Sequence, residues 1–238
     1  MADILLTLGV IVALLLAYQL WWTNGQSARA AEAGRSELIA EWSSTPSTAP
    51  SVAPTPAPSP SSAPAIVADS SATPVPTISV KTGKPFALMY IPRLKDSVWG
   101  IPVLEGVSLD ELAKGIGHYP GTAMPGEIGN FATAGHRATH GEPFKDFDRL
   151  KKGDRVIVET KFGWYIYELD TDRIVAPSDT WVIDPVPGQP DATPTEPIIT
   201  LTTCNPRWAS TERWAWWGYL VETRTRDQGP PPEIAAGG

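Results

Sequence analysis

The chain has 238 residues, of which 42% are hydrophobic, and it carries a formal net charge of −7. This length and hydrophobic content allow one sizeable core, and the absence of a basic surplus excludes the electrostatic character of a nucleic-acid-binding protein. The single cysteine excludes an intramolecular disulfide.

The N-terminal segment is predicted to be a membrane anchor. Residues 4–22 carry no charge and are long enough to span a bilayer, which takes about 20 residues. The alternative is a secretory signal peptide cleaved near Ala28-Arg29-Ala30, but the apolar run is longer than a signal peptide requires and no basic residue precedes it. We therefore predict a transmembrane anchor over residues 1–25.

Residues 26–77 are predicted to be an Ala/Ser/Thr/Pro-rich, disordered linker. From residue 43 onward Asp69 is its only charged residue, and this composition buries too little apolar surface to fold. At about 3.1 Å per residue in polyproline II, this part spans on the order of 100 Å. Arg29 and Arg35 favour a cytoplasmic location for the chain after the anchor, but long domains translocate largely regardless of such charges. Because a spacer of this reach suits a domain held away from a bilayer, we predict that the domain lies outside the cell.

Residues 78–225 are predicted to form one folded domain, and residues 226–238 a disordered tail. A capping box of Ser108 and Glu111 predicts a helix over residues 109–116, and a second short helix is predicted over residues 143–150. The remaining elements are short extended runs separated by Gly and Pro, which is typical of a mostly β fold with a closed or nearly closed barrel. The predicted strands are residues 86–91, 129–134, 155–160, 164–169, 198–203 and 214–221.

Cys204 is a candidate nucleophile. It follows Thr200-Leu201-Thr202-Thr203, a run that reads as the end of a buried strand, and polar and charged residues come directly after it. An unpaired thiol is a liability in an oxidising compartment unless it has a function. The alternative is a structural cysteine packed as a small hydrophobic residue.

His136 is a candidate acid or base, since it lies between a predicted strand and a loop and an imidazole titrates near neutral pH. The alternatives are a histidine packed at the barrel mouth, or a metal site that combines His136 and His140 with Cys204. We predict no metal and no cofactor, because a closed zinc site takes four ligands and the chain has no second cysteine. His118 lies in a predicted turn and is expected at the surface.

Arg213 is the third candidate. It lies nine residues after Cys204, which is a suitable distance for a hairpin loop that returns the chain to the cysteine. A guanidinium always carries its charge and presents several donors, so it can hold a carbonyl and stabilise developing negative charge. The alternatives are an ion pair with Glu212 or Glu222, or cation–π packing on the tryptophans that follow.

These residues resemble the sortases, cysteine transpeptidases of the Gram-positive cell surface. Thr200-Leu201-Thr202-Thr203-Cys204 matches the Thr-Leu-x-Thr-Cys signature of that family, Gly135-His136-Arg137 matches the segment of its catalytic histidine, and Arg213 occupies the place of its catalytic arginine. The resemblance covers residues 85–223. The segment from His140 to Phe144, the pair Gly153-Asp154 and the ending Arg213-Trp214-Ala215-Trp216-Trp217-Gly218 are most similar to class E sortases of actinobacteria.

The resemblance implies an eight-stranded β-barrel with catalytic residues His136, Cys204 and Arg213 at one end. It implies that Cys204 attacks a Leu-Ala-x-Thr-Gly or Leu-Pro-x-Thr-Gly sorting signal between Thr and Gly, that His136 exchanges protons, and that Arg213 positions the peptide. Thr203, Tyr119 and Leu201 are expected to bind substrate, and Arg213, with Thr203 or a backbone N–H, is expected to stabilise the oxyanion.

The implied partners are secreted proteins that bear a sorting signal and an amine of a peptidoglycan precursor. The implied location is the cell membrane, crossed once, with the catalytic domain extracellular. Two alternatives stay open at this point: a cysteine hydrolase that uses water as the acceptor, and a non-catalytic envelope module with a structural cysteine.

Overall fold

Eight β-strands form a closed barrel in this computed structural model, which describes residues 2–44, 78 and 80–237. Around the barrel the strands follow the order β1-β2-β3-β4-β7-β8-β6-β5. The predicted fold class, a mostly β closed barrel, is confirmed. The strands are β1 (Pro85–Tyr90), β2 (Trp99–Glu105), β3 (Ile116–His118), β4 (Gly129–Ala134), β5 (Arg155–Thr160), β6 (Gly163–Val175), β7 (Pro197–Asn205) and β8 (Glu212–Thr225).

Most neighbouring strands are antiparallel, but β2 pairs with β3 and β4 pairs with β7 in parallel. In a parallel pair the carboxyl ends of both strands reach the same edge of the sheet. The segments that leave β4 and β7 therefore emerge side by side at one end of the barrel.

The sequence prediction missed two strands, and the structure shortens both of the predicted helices. Strands β2 and β3 were not predicted, because Gly100 and Pro102 interrupt the pattern of β2 and β3 has only three residues. The helix that opens at Ser108 is α2 (Leu109–Leu112) and ends before Ile116, which begins β3 and is fully buried. The predicted second helix is reduced to a single 3-10 turn, Phe147–Arg149.

The barrel interior is a continuous apolar core. Along β1, Ala87 and Met89 are fully buried in it, as alternation of side chains on a strand requires. The intervening residues Leu88 and Tyr90 point to the other face, yet they are also buried. The outer face of this part of the barrel is therefore covered.

The cover is a long helix, α1 (Ala2–Ser44). This differs from the prediction that residues 26–77 are a disordered linker, because residues 26–44 are rich in Ala, Glu and Arg, which favour helix. In the part of the chain that the structure describes, no helix is both long and apolar enough to cross a membrane. The rest of the predicted linker, residues 45–77, lies outside the described residues.

Helix α1 packs on the barrel through its C-terminal half. Leu38 is only 2% exposed and belongs to an apolar cluster with residues of β1, β5 and β6. Gly34 lies against Pro102 of β2, and Glu37 forms an ion pair with Lys84 at 3.1 Å. The other members of the cluster are Leu88, Tyr90, Ile157, Trp164 and Ile166, with Trp42, Trp99 and Ile234 partly buried against it.

The C-terminal tail was predicted to be disordered, but the structure places regular elements in it. Residues Arg226–Gln228 form a 3-10 turn, and Pro232–Ala235 form a short helix, α3. Pro232 opens α3, a position where proline is tolerated because its missing N–H has no partner in a helix. Glu233 accepts a hydrogen bond from Arg155 at 2.8 Å, so the tail is attached to β5.

The packing of α1 predicts a stability difference between two adjacent residues. We expect Leu38→Ala to lower the free energy of unfolding by about 2–4 kcal/mol, since it removes buried apolar contacts. Ile39, which is 45% exposed, is the matched control, and Ile39→Ala should change that free energy by less than about 0.5 kcal/mol. Urea unfolding of the full chain measures both values, and equal effects of the two substitutions would show that α1 does not pack through Leu38.

Candidate active site

The three candidate residues lie in one row across three neighbouring strands. The register of β4 on β7 pairs Ala134 with Thr202, and His136 and Cys204 each follow two residues later. The register of β7 on β8 pairs Cys204 directly with Arg213. The order across the sheet is therefore histidine, cysteine, arginine, with the cysteine in the middle.

Backbone and side-chain bonds hold the histidine segment against β7 beyond the end of β4. The Gly135 N–H donates to the carbonyl of Thr202 at 3.1 Å, and the Thr203 hydroxyl donates to the carbonyl of Gly135 at 2.7 Å. A Cβ atom on Gly135 would lie 2.7 Å from the Phe144 ring, so only glycine allows this approach. The segment that carries His136 is thereby fixed next to the end of the strand that carries Cys204.

His136 is half-buried and retains an unused ring nitrogen. Its Nε2 is buried and has no hydrogen-bond partner among residues 2–44, 78 and 80–237. The pKa of His136 lies below its ordinary value, first because burial disfavours the charged ring and second because a protonated His140 repels it. The His140 ring is 5.3 Å away, centroid to centroid, at an interplanar angle of 32°. The neutral imidazole is thus the favoured form of His136 near neutral pH.

The turn that follows His136 has an unusual backbone. Thr139, His140 and Glu142 have φ values of 60°, 50° and 37°, and Gly141 lies between the last two at 80°. Non-glycine residues in this left-handed region are strained and need support from their surroundings. Arg207 donates to the Glu142 carboxylate at 2.6 Å, and the Gly141 N–H donates to the Asn24 side chain of α1 at 3.0 Å. The turn is therefore held from the β7–β8 hairpin on one side and from α1 on the other.

The metal alternative in the sequence analysis combined His136 and His140 with Cys204. The two histidine rings are in contact, but in the described part of the chain no group of three or more His, Cys, Asp or Glu side chains is placed to hold a metal ion.

Cys204 is a free, half-buried thiol near the end of β7. Its strand neighbours on both sides, the His136 segment and Arg213, are polar, unlike the apolar surroundings of a structural cysteine. Its partial exposure leaves the sulfur accessible to a ligand from outside the barrel.

Arg213 is oriented by its own hairpin rather than by a carboxylate. Its Nη1 donates to the carbonyls of Ser210 at 3.1 Å and Glu212 at 2.8 Å. No ion pair of Arg213 occurs among the described residues, and the two predicted partners are engaged elsewhere. The Glu212 carboxylate accepts from Asn205 at 2.7 Å, and Glu222 pairs with Arg224 at 3.0 Å. The positive charge of Arg213 is therefore not neutralised by a neighbour in this part of the chain.

The three residues expected to bind substrate have different placements. Leu201 is fully buried in the core, and the Thr203 hydroxyl already donates to Gly135. Both lie on the face of β7 opposite to that of Cys204, because side chains alternate along a strand. The structure therefore does not bring Leu201 or Thr203 to the thiol, and of the expected oxyanion donors Arg213 and a backbone N–H remain.

Tyr119 is the exception among them. Its ring is half-buried, and its hydroxyl lies 3.1 Å from the hydroxyl of Thr202, which shares the Cys204 face of β7. The Thr202 hydroxyl itself donates to the carbonyl of Thr133 at 2.8 Å, so Tyr119 is the donor of the pair. Tyr119 is thus held beside the row of candidate residues.

His118 was expected at the surface but lies in the core. It is 1% exposed, its Nδ1 lies 2.6 Å from a carboxylate oxygen of Glu105, and its ring stacks on Phe131. The partner Glu105 belongs to β2, the strand that the sequence pattern did not reveal. A buried histidine with a carboxylate partner could therefore not be recognised from the local sequence alone.

Comparison with known proteins places the chain in a family. The model of the sortase domain matches residues 89–221. Sortase SrtE1 of Streptomyces coelicolor is 36% identical over 242 residues, which covers 98% of this chain and 60% of the relative. The chain thus spans about three fifths of the length of that relative.

Solved structures give the same result at the level of the fold. Sortase E from Streptomyces avermitilis has a TM-score of 0.58 and 44% sequence identity, covering 65% of this chain and 99% of its own. Sortase E1 from Streptomyces coelicolor, solved with a tripeptide in the active site, has a TM-score of 0.59 and 38% identity, covering 66% of this chain and 99% of its own. With a family model that matches most of the barrel and relatives among the class E enzymes, the chain belongs to the sortase family of cysteine transpeptidases.

Proposed function

We propose that this chain cleaves a C-terminal sorting signal with Cys204 as nucleophile, His136 as general acid and base, and Arg213 as the residue that positions the peptide. The observation that carries this proposal is the backbone register, which pairs Cys204 with Arg213 and places His136 and Cys204 each two residues past the last pair of β4 and β7. A nucleophile flanked by a proton carrier and a fixed cation is the arrangement that acyl transfer requires.

The first half-reaction forms a thioester. The Cys204 thiol passes its proton to the neutral His136, the resulting thiolate attacks the carbonyl carbon of the signal threonine, and the bond between that carbon and the glycine nitrogen breaks. The His136 imidazolium gives its proton to the departing amine. In the second half-reaction an acceptor amine attacks the thioester carbon, His136 takes a proton from that amine, and the sulfur leaves as the new amide forms.

Arg213 acts on the peptide rather than on the thiol. With Nη1 held by backbone carbonyls, the other donors of its planar guanidinium can bind carbonyl oxygens of the signal. Backbone N–H groups at the end of β7 would stabilise the negative oxygen of the tetrahedral intermediate.

The substrates in this proposal are secreted proteins with a Leu-Ala-x-Thr-Gly or Leu-Pro-x-Thr-Gly signal, and the acceptor is an amine of a peptidoglycan precursor. Tyr119, next to Thr202, is the proposed contact for the signal. The relative from Streptomyces coelicolor that was solved with a tripeptide in its active site supports a peptide substrate.

The proposed location is the outer side of the cell membrane, with residues 1–25 as a single-pass anchor. The uncharged run over residues 4–22 supports this, as does membership of a family of cell-surface enzymes. The full chain should sediment with membranes and be digested by protease added to intact cells, and recovery in the soluble cytosolic fraction would refute the location.

A ligation assay tests the activity. The purified protein, mixed with a Leu-Ala-x-Thr-Gly peptide and a short amine, should yield the ligated product by mass spectrometry. Cys204→Ala should form neither thioester nor product, and it should also lose labelling by a thiol reagent, since the chain has no other cysteine. Formation of the free acid alone would identify a hydrolase, and no turnover at all would identify a non-catalytic module.

The contributions of the charge and of the planar shape of the Arg213 side chain to activity can be tested separately. Arg213→Lys keeps the charge but loses the planar fork, so we expect kcat/KM for the peptide to fall about 10²–10³-fold. Arg224→Lys on the same strand is the matched control, because Arg224 pairs with Glu222 away from the row, and it should stay within about threefold of wild type. Near-normal activity of Arg213→Lys would remove Arg213 from the mechanism.

The lowered pKa of His136 predicts an unusual titration. Because burial and a positive neighbour both disfavour the imidazolium, NMR should place its midpoint below the ordinary value of about 6.5. His140→Gln should raise the midpoint, since it removes the second cause, whereas Lys152→Gln, at an exposed residue that pairs with Asp170, should leave it unchanged. A wild-type midpoint above about 6.5 would instead indicate an imidazolium stabilised by a neighbouring thiolate.

A further inference from the structure

Arg137, the residue after His136, is buried and makes three separate contacts. It is 7% exposed. Its Nη1 donates to the Asn205 side-chain oxygen at 2.6 Å, and its Nη2 donates to Asp148 at 3.1 Å. Its guanidinium carbon lies 5.0 Å from the centroid of the Trp214 ring, in a cation–π contact.

Two of these contacts reach the neighbours of the other candidate catalytic residues. Asn205 directly follows Cys204, and Trp214 directly follows Arg213. One guanidinium thus touches the residue after the nucleophile and the residue after the positioning arginine, while its own backbone carries the histidine.

The need for such a link follows from where the strand ladder ends. The backbone pairing of β4 with β7 stops at Ala134 and Thr202, with one further bond from Gly135. His136 and Cys204 lie beyond that point, and the Thr203 hydroxyl adds one bond to the Gly135 carbonyl, one residue before His136. A further side chain that joins the two segments past His136 and Cys204 would fix the separation of these two residues.

The chemistry of the contacts suits arginine and no other residue. A planar fork can donate to two acceptors in fixed directions while its face lies on an aromatic ring, whereas a lysine ammonium cannot combine these geometries. The Arg137 Nε is buried without a hydrogen-bond partner among the described residues, which is unfavourable for stability. Folding stability by itself therefore gives little reason for an arginine at this buried position.

The link extends across the hairpin through Asn205. Its side-chain oxygen accepts from Arg137, and its side-chain nitrogen donates to Glu212 at 2.7 Å. Glu212 precedes Arg213 and is directly paired with Asn205 in the β7–β8 ladder. Arg137 and Asn205 together connect the ends of all three strands that carry the site.

We propose that Arg137 is a positioning residue that sets the spacing of His136, Cys204 and Arg213 by holding Asn205 and Trp214. This inference rests on the proposed function. It predicts that a change at Arg137 lowers the rate of the chemical steps more than the binding of the peptide, because Arg137 acts on the alignment of the reacting groups and not on the substrate.

The main test is Arg137→Lys in the peptide ligation assay. We expect kcat to fall about 10–100-fold, since a small misalignment of reacting groups has effects of this size, while KM for the peptide stays within about threefold. Arg149→Lys is the matched control, because Arg149 is 54% exposed and only 3.9 Å from its partner Asp146, and it should keep wild-type kcat. Circular dichroism and a cooperative urea transition of each variant give the folded fraction by which its kcat is corrected.

A second pair of variants applies if Arg137→Lys does not fold. Asn205→Ala removes the acceptor of Arg137, and it should lower kcat in the same direction without changing KM. Glu222→Ala is the matched control, because Glu222 pairs with Arg224 and has no part in this link, so it should keep kcat within about threefold.

The possible results separate the two proposals. Wild-type protein that does not ligate peptides would refute the proposed function itself. Active wild-type protein with unchanged kcat in Arg137→Lys, or with equal losses in Asn205→Ala and Glu222→Ala, would refute the positioning role alone. A loss confined to KM would also refute it, since that result would place Arg137 in peptide binding.

Discussion

The parallel pairing of β4 with β7 is the constraint on which the site depends. Antiparallel strands would send the chain after β4 and the chain after β7 to opposite ends of the barrel. Parallel pairing brings both ends to the same edge, with a shared register, so that His136 and Cys204 each follow the last pair by two residues. The antiparallel return of β8 then adds Arg213 beside Cys204. The alignment of the candidate residues therefore follows from the direction and register of the strands, independently of side-chain contacts.

The candidate residues at strand ends could be predicted from the sequence. Which side chains of a strand lie on the same face as the candidate residue was not predicted. Cys204, His136 and Arg213 were found because each follows or precedes an extended run next to a polar segment. Leu201 and Thr203 were assigned to substrate binding by the motif that contains them, whereas alternation along β7 turns both away from the thiol. A motif identifies a segment of chain, and the period of two within a strand decides which of its residues can act together.

Tertiary contacts account for most of what the sequence did not reveal. The environment of His118 depends on Glu105 in a strand interrupted by Gly100 and Pro102, and the role of Arg137 depends on residues far along the chain. The order of residues 226–237 comes from contacts such as that between Glu233 and Arg155, although the composition of the tail favours disorder. Local composition predicts the structure of an isolated segment, whereas the structure of these segments depends on contacts with residues far along the chain.

The docking of α1 on the barrel changes the role that can be assigned to the proline-rich segment after it. Trp42, near the end of α1, packs on the outer face of the barrel, and Ile78 is buried in the barrel core. The described residues on either side of the proline-rich segment are therefore packed on the same barrel. The separation between the start of the chain and the barrel is set by a rigid rod, the helix itself, which rises 1.5 Å per residue, and not by the number of prolines after it.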